Sequence, residues 1–174
     1  GAGVIGLELA QALHRLGVRT RLFGRSERIG PPTDPALQTI TRQVFARELP
    51  MTLNAREIGV SRDGDSVVLR LPGQPEERFD WLLCATGRMP NVDGLGLDKT
   101  SLPLDPNGVP VHDRRTGQIG SSPVFLAGDA ADERAILHEA ADEGRIAGDN
   151  AGRWPDVRVR PRRAPLAVVF SDPQ

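Results

Sequence analysis

Gly1, Gly3 and Gly6 open the sequence as G-x-G-x-x-G in the run GAGVIGLELAQALHRLG. That spacing suits a diphosphate. The first glycine allows a tight turn, the second lets the anion approach the backbone, and the third lets the next helix pack close to its strand. The helix N-terminus then offers unpaired N–H groups and about half a positive charge. The candidate cradle is Gly1, Ala2, Gly3, Val4, Ile5, Gly6, Leu7 and Glu8. A second group follows at Phe23-Gly24-Arg25-Ser26-Glu27-Arg28. An acidic residue about 20 positions beyond the first glycine would accept the ribose hydroxyls of NAD. Here Gly24 presents no side chain to repel a 2′-phosphate, and Arg25, Ser26 and Arg28 can each donate to one. A charge-assisted bond contributes roughly 1.5–3 kcal/mol, or about ten- to a hundredfold in preference. These residues lean towards NADP over NAD. The competing assignments are that Arg25 and Arg28 merely solvate a surface loop, and that Glu27 serves a ribose hydroxyl.

The elements that would position these groups follow from periodicity. Apolar residues at 5, 9, 13 and 16, with companions at 4, 7 and 10, predict a helix that Gly17 stops. VRTRLF over 18–23 alternates like a strand. Asp34 and Pro35 form an N-cap and first-turn pair for a second helix, with Leu37, Ile40, Val44 and Phe45 as its expected buried stripe, ending near Pro50. MTLN is a short strand after it. Strand and helix alternating within about fifty residues predict a parallel sheet covered by helices. Breaks at Asp63-Gly64 and Pro72-Gly73 then predict an antiparallel meander that leads into a buried strand over 81–85. Beyond loops over 88–123, PVFLAGD reads as another buried strand. A helix is expected over 131–152, with Ile136, Leu137, Ala140, Ala141 and Ile146 inward. PLAVVFSDPQ begins a further strand. The strand expected before Gly1 would be central in its sheet, and its removal would leave a slot. The expectation is that more chain precedes Gly1; the alternative is that a second copy fills the slot.

Composition narrows the function classes. A net charge of −1 gives no long-range pull on phosphate backbones, so nucleic acid is not an expected partner. The one basic cluster, RWPDVRVRPRR, is expected to be a solvated linker. The single cysteine, Cys84, rules out an internal disulfide framework, fits a reducing, cytoplasmic setting, and is expected to be a small buried hydrophobe in WLLCATG. No apolar run approaches the roughly 18 residues of a membrane span. His14, His112 and His138 lack metal-ligand spacing, so no metal is expected.

Three landmarks stand in order: GAGVIGLE at 1–8, CATGRMPN at 84–91 and VFLAGDA at 124–130. Together they resemble the flavin-dependent pyridine nucleotide-disulfide oxidoreductases of class I, over nearly the whole chain. The resemblance implies an α/β fold: a Rossmann-like, three-layer NAD(P)-binding domain over 1–90, with a parallel sheet and an antiparallel β-meander. Residues 91–152 would be the returning segment of an FAD-binding domain, and 153–174 a linker and the first strand of an interface domain. It implies that Glu8 lies near the nicotinamide, that Gly87 lines the nucleotide site and that Asp129 bonds the ribityl chain of FAD. An adenine-side backbone contact would fall near Glu57. ILHEAADEG is most like the dihydrolipoamide dehydrogenases and would place Ala135, Ile136, Leu137 and His138 against the flavin. Gly24 departs from that subgroup, where Glu is usual, towards the arrangement of glutathione reductase.

The function implied is electron transfer between a dithiol or disulfide and NAD(P) through FAD. Such an enzyme acts on a small-molecule dithiol or disulfide, forms a homodimer and can belong to a 2-oxoacid dehydrogenase complex. Its redox cysteine pair and His-Glu base have no counterpart here, so no catalytic residue is assigned and the chain alone is expected to be inactive. The alternatives are an NADPH-dependent disulfide or mercuric reductase, and a non-catalytic nucleotide-binding module.

Overall fold

The computed structural model describes residues 1–131 and 134–173. They form two compact units, one of residues 1–87 with 168–173, the other of residues 88–167.

In the first unit, helix α1 (Val4–Arg15) leads through a loop to β1 (Leu22–Phe23), helix α2 (Pro35–Ala46) and β2 (Met51–Thr52). The ends of both helices are set locally. Gly17, at φ +87°, donates to the His14 carbonyl while Val18 donates to Leu13, so the left-handed residue closes α1 in a Schellman turn. Asp34 caps α2, its Oδ1 accepting the amides of Ala36 at 2.8 Å and Leu37 at 3.0 Å. β1 and β2 pair in parallel with Leu22 opposite Met51 and Phe23 opposite Thr52. Ala2, Leu7, Ala10, Leu22, Ile29, Phe45 and Leu49 form the core between them.

Both helices bury a different face from the expected one. Leu7, Ala10 and Gln11 of α1 are covered, whereas Ile5, Leu9, Leu13 and Leu16 are exposed. In α2, Phe45 is buried but Leu37 and Ile40 are exposed, and Gln38 takes the inner place. Its carboxamide accepts the Ile29 amide and donates to the carbonyls of Ile29 and Pro32, so this polar group is satisfied inside. Each helix carries more than one apolar ridge, and periodicity does not say which ridge the sheet will cover.

The meander forms as expected. β3 (Gly59–Asp63), β4 (Ser66–Arg70) and β5 (Glu77–Phe79) make an antiparallel sheet in the order β3-β4-β5. The β3–β4 hairpin turns on Gly64 and Asp65, with Gly64 at φ +58°, the positive angle that tight hairpins need. Phe23 of β1 meets Phe79 of β5 edge to face at 6.5 Å.

Residues 81–85 enter no ladder among the described residues, and Trp81, Leu82, Leu83 and Cys84 are exposed. The buried strand and buried thiol expected there are therefore corrected: a segment with open edges leaves its apolar side chains in solvent. Residues 165–173 likewise form no ladder among the described residues.

The second unit holds short 3₁₀ turns, isolated bridges and helix α3 (Leu137–Arg153). The strand expected over 123–129 is reduced to one bridge, Gln118 to Phe125, followed by a 3₁₀ turn over Gly128–Ala131. The helix expected from 131 begins at Leu137, and residues 132 and 133 of that expectation lie outside the described residues.

The inner face of α3 is also corrected. Ile146 and Ala147 are buried, but so are Glu139, Asp142, Glu143 and Asn150, while Leu137 is 87% exposed and Ala141 is exposed. The Arg-rich segment explains this, because three of its guanidiniums return to α3 although most of the segment is exposed. Arg160 pairs with Asp149, Arg162 with Glu139 and Glu143, and Arg163 with Asp142. Buried carboxylates need such partners, since an unpaired charge is costly to take out of water.

Candidate cofactor-binding site

In the first unit the three motif glycines occupy three different environments. A Cβ on Gly1 would collide with the carbonyl of Ala85, and one on Gly6 with the carbonyl of Gly1. A Cβ on Gly3 would meet nothing within 4 Å. The first and third glycines therefore permit close backbone packing, and the second leaves an open approach. Gly3 is the N-cap of α1, with extended backbone and no side-chain cap, and no acidic residue occupies the first turn. The first four amides of a helix have no partner within it, so the opening at Gly3 is lined by donors and by the positive end of the helix dipole. The open approach at Gly3 and the donors of the helix end suit an anion such as a diphosphate.

Gly24 ends β1 beside the cradle and is buried. A Cβ there would lie 2.8 Å from Leu53 Cδ2 and 3.1 Å from the Ala2 side chain. The loop beyond it is exposed, and its charged groups differ in engagement. The Arg28 amide donates to Ser26 Oγ at 3.2 Å, and the Arg28 guanidinium donates to the Pro31 carbonyl at 3.0 Å. Glu27 accepts from Asn54 Nδ2 at 3.0 Å, a partner 27 positions away that spacing does not reveal. Among the described residues Arg25 has no hydrogen-bond or ion-pair partner, so its guanidinium is available.

The remaining first-unit positions are less concentrated. Val4 and Glu8 are half-buried, Leu7 belongs to the core, and Glu8 Oε1 accepts the Phe170 amide at 2.9 Å. Gln11 exchanges hydrogen bonds with the backbone of Asp172, so residues 170–172 lie along α1. Gly87 is exposed at φ +122°, an angle that favours glycine, and Glu57 is exposed.

In the second unit, Asp129 is exposed on the turn that Gly128 begins at φ +69°. A carboxylate in that position can accept from hydroxyl groups, as a ribityl chain would require. The Gly128 amide donates to Glu143 Oε2 at 2.8 Å, which fastens the turn to α3. Glu143 was not among the expected site residues, although it stands in the Glu-Gly pair of ILHEAADEG. Ala135, Leu137 and His138 are exposed, Ile136 is half-buried, and Arg88 donates to the Ala135 carbonyl at 3.1 Å.

A parallel β-pair flanked by helices, an antiparallel meander and a bare helix N-terminus behind a glycine corner define an α/β protein of the dinucleotide-binding type. Comparison with known sequences narrows that class: residues 1–144 match the pyridine nucleotide-disulphide oxidoreductase family, and the chain belongs to it. It is 35% identical over its whole length to the mercuric reductase of Shigella flexneri, covering 31% of that protein. It is 31% identical over 87% of its length to a dihydrolipoyl dehydrogenase of Thermus scotoductus, covering 34% of that protein. Among solved structures it resembles LpdA of Mycobacterium tuberculosis with a TM-score of 0.82 at 26% identity, covering 99% of this chain and 37% of that one. The chain thus spans about a third of the length of these relatives. No described helix is long and apolar enough to cross a membrane.

Proposed function

We propose that this chain is the nicotinamide-nucleotide-binding portion and part of the flavin-holding portion of an FAD-dependent oxidoreductase, most like a dihydrolipoamide dehydrogenase. Bound FAD would relay an electron pair between the nicotinamide and a dithiol or disulfide. The observation that carries the reading is the contrast at the glycine corner: backbone collisions at Gly1 and Gly6, open space at Gly3. Residues 1–6 would hold the diphosphate through backbone amides. Glu8 would reach the nicotinamide once its bond to the Phe170 amide is given up. Gly87 and the backbone near Glu57 would line the nucleotide. Asp129 would accept from the ribityl hydroxyls, and residues 135–138 would pack against the flavin. Residues 1–174 contain one cysteine, so the chain's share is binding and orientation, and turnover by these residues alone is not expected.

NADP is the proposed nucleotide, supported by the available Arg25 and by the absence of a side chain at Gly24. The second reading is an NADPH-dependent mercuric or disulfide reductase, which Arg25 and the 35% identity to a mercuric reductase favour. A homodimer, a place in a 2-oxoacid dehydrogenase complex and a cytoplasmic location belong to the first reading as proposals. The test is rapid mixing of the full-length protein with NADPH and NADH, following flavin absorbance. Bleaching by NADPH faster than by NADH supports the nucleotide assignment, and no bleaching by either overturns the redox reading. Turnover of dihydrolipoamide against Hg(II) or small disulfides then separates the two enzyme readings.

A further inference from the structure

We propose that Arg162 is a positioning residue for the Gly128–Asp129 turn and acts on it through Glu143. The two carboxylate oxygens of Glu143 are divided between two tasks. Oε1 accepts from Arg162 Nη2 at 2.6 Å, and Oε2 accepts from the Gly128 amide at 2.8 Å. Glu143 is 9% exposed, so a change in either partner is felt with little screening by water. Arg162 is itself fixed from other sides, since it donates to Glu139 at 3.0 Å and to the Arg114 carbonyl at 3.2 Å.

The turn at the far end of this relay has little freedom. Gly128 sits at φ +69°, and a Cβ on it would lie 3.4 Å from the Ala140 side chain. With the Gly128 amide fastened to α3, the next residue, Asp129, is presented from a fixed backbone. The segment carrying Arg162 is anchored along the same helix by Arg160 on Asp149 and Arg163 on Asp142. Of these three arginines, only Arg162 reaches the carboxylate that holds the turn. The Arg-rich segment thereby sets the geometry of a site to which it presents no ligand group.

This inference rests on the proposed placement of Asp129 at the ribityl chain of FAD, and the test separates the two. In the full-length holoprotein, Arg162→Met is compared with Arg163→Met, which removes a neighbouring ion pair but leaves the relay. The first readout is hydrogen exchange of the Gly128 amide relative to amides in the middle of α3. The second is FAD affinity by flavin fluorescence. Arg162→Met is expected to speed Gly128 exchange about tenfold or more, the loss of one charge-assisted bond, and to weaken FAD binding. Arg162→Lys should restore part of both effects, and Arg163→Met should change neither. Wild-type exchange at Gly128 in Arg162→Met overturns the relay, as does an equal effect from Arg163→Met. If Arg162→Met does not fold, Arg162→Gln is measured in its place under the same criteria. Asp129→Ala with undiminished FAD affinity overturns the flavin placement while leaving the exchange result intact.

Discussion

Asn150 and the backbone of Arg158 hold each other in both directions. The Asn150 carboxamide donates to the Arg158 carbonyl at 3.0 Å and accepts the Arg158 amide at 2.9 Å, and it also donates to the Thr116 carbonyl. This side chain has no exposed surface. It ties α3, the loop before it and the Arg-rich segment together at one point. Asn150→Ala removes the partner of three backbone groups, the buried Thr116 carbonyl and the part-buried amide and carbonyl of Arg158, and should destabilise the protein by about 2 kcal/mol or more, measured by urea denaturation.

The glycine corner gives a contrast between two substitutions. Gly6→Ala drives a methyl group into the Gly1 carbonyl, which is backbone and cannot step aside. It should destabilise the first unit by about 3 kcal/mol or more. Gly3→Ala meets open space at an ordinary φ of −78°, so stability should stay within about 0.5 kcal/mol of wild type. Its methyl group would instead occupy the approach to the helix amides. NADPH affinity by calorimetry should fall in Gly3→Ala even though its melting curve is unchanged.

Nucleotide choice should follow residues 24 and 25. Arg25→Ala is expected to raise the Kd for NADPH by about ten- to a hundredfold with little change for NADH. Gly24→Glu should shift preference towards NADH, because a carboxylate can accept from ribose hydroxyls and repels a 2′-phosphate. The new Cβ requires both Leu53 Cδ2 and the Ala2 side chain to give way, so some stability is lost as well. Equal loss of both nucleotides in Arg25→Ala would sink the NADP assignment.

Acid should loosen the end of α1. Hydrogen bonds from Arg15, then from Gln11, lower the pKa of Glu48 from its ordinary 4.5 to about 2. A carboxylate whose folded pKa lies below its unfolded value stabilises the fold above the unfolded value and loses that contribution as pH falls through the folded one. Denaturant midpoints should therefore decline between about pH 4.5 and 2. Arg15→Ala should flatten that part of the profile, and an unchanged slope would contradict the assignment.

A similar direction holds on α3. The pKa of Asp142 is lowered chiefly by Arg163, and that of Asp149 chiefly by Arg160 and then Arg153. Protonation of these carboxylates in acid removes the charge that the Arg-rich segment is paired with. Hydrogen exchange over residues 157–163 should accelerate below the ordinary carboxylate range.

Much of the fold was legible where a few neighbouring residues decide the outcome. The Gly17 stop, the Asp34 cap, the Gly64 turn and the Gly1–Gly6 corner all formed as expected, because the sign of φ and the capping of amides are local matters. The three motifs in order also carried the family. The strands expected at 81–85 and 123–129 were less secure, because a strand is completed by pairing that its own residues do not encode. At the candidate site, type and spacing made Gly24 and Arg25 readable as candidates, and their part in nucleotide choice is a proposal. Glu143 was not, because its role depends on Gly128, fifteen positions earlier.

By itself, then, the sequence determined the glycine corner, the turn and cap positions, the alternation of helix and strand, and membership of a redox family. Only the tertiary structure decided which helix faces are buried. α3 turns Glu139, Asp142 and Glu143 inward because Arg162 and Arg163, 19 to 23 positions further on, return to neutralise them. Burial depends on what lies opposite, and a carboxylate becomes an interior residue once a guanidinium arrives from a distant part of the chain.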